Sequence, residues 1–333
     1  MVHFFGSEEH FKTHWLGVMA AVGGRLVSSE EIMAPANRDV PVLVASWGDL
    51  RKVHPHRTRI IMCEHGCGLS YNGNHASYVG NSALKDERIM LRLVPNHFAA
   101  DKERQYNPDL PIEICGAPYL DALRRSSPFR QRRVFRSDVH DRPLIVFSTH
   151  WDCMVCPETR SSFGYFKQAI ARLAATHNIA LHAHPRIATQ VAMFARGRGI
   201  PFIRDFKEVA QTAALYAIDN SSTLFEFAAT GKPVLVLNAP EYRRNVEHEH
   251  NPRFWSCADV GVNVWDPSTL DAAVALALRD EPAQRARRQA IVAEMFPYLG
   301  TATQKAAELI NEYAAKPMRQ PTPRSFLAGI FGS

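Results

Sequence analysis

The chain has 333 residues, enough for two domains with sizeable cores. It is 46% hydrophobic and 22% charged, and no stretch is long and apolar enough to span a membrane, which excludes an integral helical membrane protein. A net charge of +6 favours a polyanionic partner, and six unevenly placed cysteines exclude a disulfide framework. The opening residues, MVHFFGSEEH, turn polar and acidic too early for a signal peptide, so a cytoplasmic location is expected.

In chain order, strands are predicted over 2–5, 25–28, 41–46, 59–63, 89–94 and 111–115, the last ending in Gly116 to Asp121. A helix over 10–22 places Phe11, Trp15, Val18 and Met19 on one face, and Gly23-Gly24 ends it. Another helix follows Pro95-Asn96-His97 and runs to 106. Strands alternating with helices make this first half, 1–128, an α/β domain. Arg130, Arg132, Arg133, Arg136 and Arg142 crowd the segment 129–142, which reads as a linker.

The second half, 143–296, begins with a strand at 144–148. Further strands are predicted at 179–183, 201–203 and 262–264, with helices at 163–176, 188–195, 206–213, 268–278 and 282–295. A last helix, 302–313, is capped by Thr301 and Thr303 and is expected to return to the first domain over 297–315. Residues 316–333 are Pro-rich, basic and then apolar. They read as a loose tail with a weak peripheral contact to the inner face of a membrane as an alternative.

The stretch 217–238, AIDNSSTLFEFAATGKPVLVLN, organises this half. It reads as a strand end, a polar turn, a helix over 224–230 stopped by Gly231, and a second buried strand at 234–237. Ser221, Ser222 and Thr223 set three hydroxyls at a helix start beyond a strand's carboxyl end. Open α/β sheets bind ligands at that edge, and such a turn suits a phosphate or diphosphate. Asp219 is expected to fix the turn. Lys232, Arg243 and Arg244 are additional basic residues nearby.

These segments carry a resemblance. Glu64-His65-Gly66, Gly116 to Asp121, Phe147 to Asp152, His184-Pro185 and Asp219 to Pro233 resemble, in order, motifs of the CDP-glycerol glycerophosphotransferase family. The resemblance covers roughly residues 60 to 310 and implies a GT-B-like fold, two Rossmann-type α/β domains facing across a cleft. The chain departs from the family pattern at Gly66-Cys67-Gly68-Leu69-Ser70-Tyr71 and at Asn220, where the family carries Tyr. The loops EHGCGLSY and THWDCMVCPETRSSF are also similar to phage-encoded glycosyltransferases.

The resemblance implies a transferase that moves a sugar or polyol-phosphate group from a nucleotide-diphosphate donor to an acceptor hydroxyl. The catalytic residues it implies are His65, as base, and His184. Histidine suits both roles because imidazole titrates near neutrality. Arg186, Ser221, Ser222, Thr223 and Glu226 are the expected donor-binding residues, supported by Glu64, Gly66, Gly68 and Asp219. No cofactor or metal is obligatory. The acceptor is expected to be anionic: a polyol phosphate, a glycan or DNA. A DNA glycosyltransferase, a nucleotide-sugar 2-epimerase and an inactive anion-binding partner subunit are the alternatives. Cys63, Cys67, Cys153 and Cys156 form a weak zinc candidate, and His248 with His250 a second. His182 reads as a strand residue.

Overall fold

The computed structural model describes residues 1–7, 9–37, 39–55, 59–63, 66–67, 88–125, 142–152, 161–240 and 258–316. They form two compact units, one containing the described residues up to 67, 88–121 and 297–316, the other those of 122–296. Each is built on a parallel sheet.

In the first unit the strands are β1 (His3–Phe5), β2 (Arg25–Leu26), β3 (Val42–Val44), β4 (Ile60–Cys63), β5 (Ile89–Val94) and β6 (Ile112–Ile114), in the order β2-β1-β3-β4-β5-β6. Residues alternate between two buried faces. Phe4, Leu43, Ile61, Cys63, Leu91 and Leu93 share one core with Trp15 and Val18 of helix α1 (Glu9–Ala21). Phe5, Val42, Val44, Ile60, Met62 and Ile89 face the other, with Ile32 of α2 (Ser29–Met33) and Leu50 of α3 (Trp47–Leu50). Burial on both faces is why these strands read as continuous apolar runs. Helix α4 (His97–Tyr106) follows β5, and α5 (Pro118–Arg125) follows β6.

The second sheet comprises β7 (Ile145–Phe147), β8 (Ile179–Leu181), β9 (Leu215–Ile218), β10 (Val234–Leu237) and β11 (Val262–Val264), in the order β11-β10-β9-β7-β8. Leu181 also bridges Phe202 in parallel, which extends the edge by one more segment. The expected strand at 201–203 is only this bridge. Helices α6 (Phe163–Leu173), α7 (Ala188–Arg196) and α10 (Leu270–Arg279) bury Phe166, Ile170, Val191 and Val274 against one face. Helices α8 (Phe206–Thr212), α9 (Thr223–Ala228) and α11 (Pro282–Met295) complete the unit, and α9 packs on β9, β10 and α11.

The last helix, α12 (Ala302–Ala315), belongs to the first unit, where Ala306, Leu309 and Ile310 join the core beneath α1. Its cap corrects the sequence reading. Thr301 makes no side-chain cap bond. Instead the Asp121 carboxylate accepts from Gly300 N at 2.8 Å and Thr303 N at 2.7 Å. Gly116 comes within reach of the same junction: its φ is +77° and a Cβ there would lie 2.3 Å from the Pro297 carbonyl. The Gly116-to-Asp121 motif therefore locks the helix in place.

Candidate functional site

With the Phe202 bridge counted, the second sheet reads 3-2-1-4-5-6 in strand order, and chain direction across the sheet reverses between β7 and β9. The carboxyl edge at that point leaves a crevice, because successive connections depart to opposite sides. The segments that start there are Ser148 to Asp152 after β7, His182 to Arg186 after β8 and Asp219 to Thr223 after β9.

Asp219 ties these segments together. It has no exposed surface, and its carboxylate accepts from His150 N at 2.7 Å, Thr149 Oγ1 at 2.9 Å, Ser162 N at 2.9 Å and Ser162 Oγ at 3.2 Å. Burial pushes its pKa up, opposed by His150 and by the donated hydrogen bonds. The Asp219 side chain thus fixes the β7 loop and the start of α6 rather than the expected turn of its own, where its backbone carbonyl accepts from Ser221 N at 3.0 Å.

Four rings and cations crowd the β7 and β8 ends. The His150 and His184 rings meet edge-on with centroids 5.4 Å apart, and Trp151 lies 6.0 Å from His184. The Arg186 guanidinium stacks 4.1 Å over the Trp151 ring, which holds an otherwise exposed side chain in one place. His184 Nδ1 accepts from Arg186 N at 3.2 Å, so its neutral ring carries the proton on Nε2. His150 Nδ1 lies 3.1 Å from the Trp151 carbonyl, an acceptor only, so its neutral ring carries the proton on Nδ1. One ring offers an N–H donor and the other a lone pair.

Beneath the hydroxyl turn runs a buried polar chain. His182 Nδ1 contacts Ser148 Oγ at 2.7 Å, Ser148 bonds the Tyr216 hydroxyl, and Tyr216 contacts Thr223 Oγ1 at 3.1 Å. Thr223 Oγ1 then donates to Ser221 Oγ at 3.1 Å, which also accepts from Thr223 N at 3.4 Å. Ser221 is used as an acceptor twice, so its own proton is left to donate outward. Burial pushes His182 down to about 4 and raises Tyr216, so the two titratable members of the chain are neutral near pH 7. His182 belongs to the buried interior, as read from the sequence.

Ser222 stands at the start of α9 but makes no side-chain cap bond. That helix is six residues long, so its dipole is small and the side chains dominate the local field. Glu226 is 5% exposed, which rules out a solvated surface charge. Lys232 Nζ donates to the carbonyls of Ala210, Gln211 and Ala213, capping α8, and burial lowers its pKa. It serves the fold.

In the first unit, Gly66 adopts φ +79°, a conformation that favours glycine, and the Cys67 carbonyl accepts from Asn96 Nδ2 at 2.9 Å. Asn96 also caps α4 through Ala99 N. The loop after β4 is thereby pinned to the start of the next helix. Glu64, His65 and Gly68 lie outside the described residues, as do Cys153, Cys156, Arg243, Arg244, His248, His250, most of the linker and the tail beyond Lys316. The Cys63 thiol packs in the core with Leu91 and Leu93 and is pushed well up by burial, which removes it from a four-cysteine zinc arrangement. Among the described residues no cluster of His, Cys, Asp and Glu is arranged to hold a metal.

The polar positions that sequence reasoning passed over are His150, Trp151, Ser148, Tyr216, Asn220 and Asn238. The first two carried a signal: a histidine inserted between the Thr and Trp of a strand-end motif. The others act through contacts between segments distant in sequence.

No protein-family model matches the chain, and no curated protein matches it. Solved structures do. A Listeria monocytogenes protein assigned as a UDP-N-acetylglucosamine 2-epimerase aligns with a TM-score of 0.63 and 15% identity over 96% of this chain and 98% of its own. The wall teichoic acid polymerase TagF, in a variant soaked with CDPG, gives 0.61 and 14% over 96% and 90%. S. aureus MnaA with UDP gives 0.59 and 14% over 96% and 98%. At this identity the likeness establishes the fold, and the chain shares the two-sheet, GT-B-like α/β architecture of these proteins.

Proposed function

We propose that the chain is an enzyme acting on nucleotide-diphosphate-activated substrates, a transferase that moves a sugar or polyol-phosphate group to an acceptor hydroxyl. The observation that carries this reading is the set His184, Arg186, His150 and Ser221, placed by rigid strand ends around the β7–β9 reversal. Ser221, Ser222, Thr223 and Arg186 hold the diphosphate, and Glu226 faces the sugar hydroxyls of the nucleotide. As the bond to the leaving phosphate breaks, charge grows on its oxygen. His184 Nε2–H donates to that oxygen while the Trp151-braced Arg186 offsets the charge. His65, supported by Glu64, Gly66 and Gly68, takes the proton of the attacking hydroxyl. For a sugar, the hydroxyl attacks the anomeric carbon and a nucleoside diphosphate leaves. For a polyol phosphate, it attacks the distal phosphorus and a nucleoside monophosphate leaves.

A 2-epimerase is the second reading, favoured by structural likeness over nearly the full length of two proteins, one assigned as such an epimerase and one bound to UDP. The two separate on products. The protein is incubated with UDP-GlcNAc, UDP-glucose, CDP-glycerol or CDP-ribitol, with and without polyol phosphate, glycan or duplex DNA, and followed by chromatography and 31P NMR. A transferase releases nucleotide only with an acceptor. An epimerase converts UDP-GlcNAc alone. Replacing His184 with Ala lowers either rate by on the order of 100-fold. No product from any donor contradicts both readings and leaves an anion-binding partner subunit.

A further inference from the structure

Two asparagines end neighbouring strands of the second sheet with polar atoms that nothing answers. Asn220, beyond β9, is 9% exposed, and neither its Oδ1 nor its Nδ2 has a hydrogen-bond partner among the described residues. Asn238, beyond β10, has no exposed surface. Its Nδ2 donates to the Val236 carbonyl at 3.3 Å and to Asn263 Oδ1 at 2.9 Å, while Asn263 Nδ2 donates to the carbonyls of Ala258 and Gly261. This network fixes which amide atom is the oxygen, and Asn238 Oδ1 is left buried without a donor among the described residues. β9 and β10 are paired neighbours, and Asn220 lies two residues past the end of β9 while Asn238 directly follows β10, so both amides sit at the carboxyl edge of adjacent strands.

Buried polar groups are nearly always bonded, and exceptions call for a reason. The chemistry of this one is specific. It offers one fixed acceptor, Asn238 Oδ1, and at Asn220 a whole amide with both acceptor and N–H donors, and carries no charge. A phosphate oxygen meets the fixed Asn238 lone pairs here and is disfavoured. A pair of adjacent hydroxyls supplies two O–H donors and accepts the N–H. Asn220 is also the position where the chain departs from the resembling family, so the amide is a property of this sequence.

We propose that Asn220 and Asn238 form a neutral subsite that reads a hydroxyl pair on the activated substrate, either the ribose diol or the hydroxyls of the transferred group. This rests on the donor-site reading above. The test uses the full chain as wild type, Asn220→Leu and Asn238→Leu, with Asn96→Leu as the control for an amide that is already bonded. Melting is measured without ligand. Calorimetric titration then uses UDP, CDP, their 2′,3′-dideoxy counterparts, UDP-GlcNAc and CDP-glycerol.

The expected result is that Asn96→Leu and Asn238→Leu lower Tm, since each breaks amide bonds made in the free protein, while Asn220→Leu melts at or above wild type. Nucleotide affinity falls roughly tenfold in each of the Asn220 and Asn238 variants, the worth of about one hydrogen bond. If the ribose is read, wild type loses about the same on the dideoxy compounds. If the transferred group is read, wild type prefers UDP-GlcNAc or CDP-glycerol to the free diphosphates, and the variants lose that preference. A Tm fall in Asn220→Leu matching Asn96→Leu overturns the proposal, because that amide is then bonded in the free protein. So does hydroxyl selectivity that survives both substitutions, which leaves internal hydration only. If wild type binds no nucleotide, the donor-site reading fails separately, and the melting comparison still decides whether the Asn220 amide is unanswered.

Discussion

Asp219 is the residue on which the local geometry depends most. Four donors from two other segments point at one carboxylate with no exposed surface. Asp219→Asn turns half of that acceptor into a donor facing donors. The variant should lose about 3 kcal/mol of unfolding free energy by urea titration, the cost of breaking a buried charged network. Unchanged stability would show that the loop is held by something else. His182 gives a pH signature. Its ordinary value is 6.5 and burial takes it to about 4 in the folded chain. Between those values the unfolded chain binds the proton and the folded chain does not, so stability is full above pH 6.5 and declines as pH falls toward 4. The shift corresponds to about 3 kcal/mol. His182→Gln should flatten that part of the stability–pH curve, and an unaltered slope would assign it to other groups. At this scale the sequence displayed residue types, and it named Asp219 and His182 as structural. It did not display their partners, because Thr149 and Ser162 lie 70 and 57 residues from Asp219.

Among the elements, strands were the most legible. Parallel strands buried on both faces leave apolar runs such as Val42–Val44 and Val234–Leu237 that need no tertiary knowledge. Short helices were not. Helix α5 begins at Pro118, and Gly116 to Asp121 reads in the sequence only as a strand end although proline also suits the first turn of a helix. Helix α2 follows Ser28, whose Oγ accepts from Glu31 N while the Glu31 carboxylate accepts from Ser28 N. The sequence carries that capping box, but there Ser28 reads as the end of a strand over 25–28 and Glu31 falls in no predicted element. The α12 cap was illegible in principle, since its acceptor lies some 180 residues upstream. Asp121→Ala should cost about 1–2 kcal/mol, with faster amide exchange in the first turn of α12. Unaltered protection there would mean that packing against α1 alone fixes that helix.

For the whole molecule, motif order carried more than any single motif. Five weak segments in a fixed sequence indicated two Rossmann-type units, and the structure has two parallel α/β units. The hydroxyl turn and the pair His184 and Arg186, which the proposal assigns to the donor, were visible in the sequence as residue types at strand ends. His150 was legible only as an insertion in the strand-end motif Phe147 to Asp152, and its partners were not. Its place beside His184 follows from β7 and β8 being neighbours, which is a fact of topology. Substrate identity lies at yet another level, in groups that meet a ligand and not one another.

The central claim is that the second unit binds a nucleotide diphosphate at the ends of β7, β8 and β9. The most direct measurement is the thermal shift of the full chain against UDP, CDP, GDP and their sugar or polyol conjugates. Wild type is compared with Ser221→Ala and with Arg186→Ala. The account predicts that one base class stabilises wild type by about 2.7 kcal/mol at a hundred times its Kd, and that each substitution removes most of the shift. A well-folded protein that no nucleotide stabilises would contradict it, and so would a shift that both substitutions leave intact.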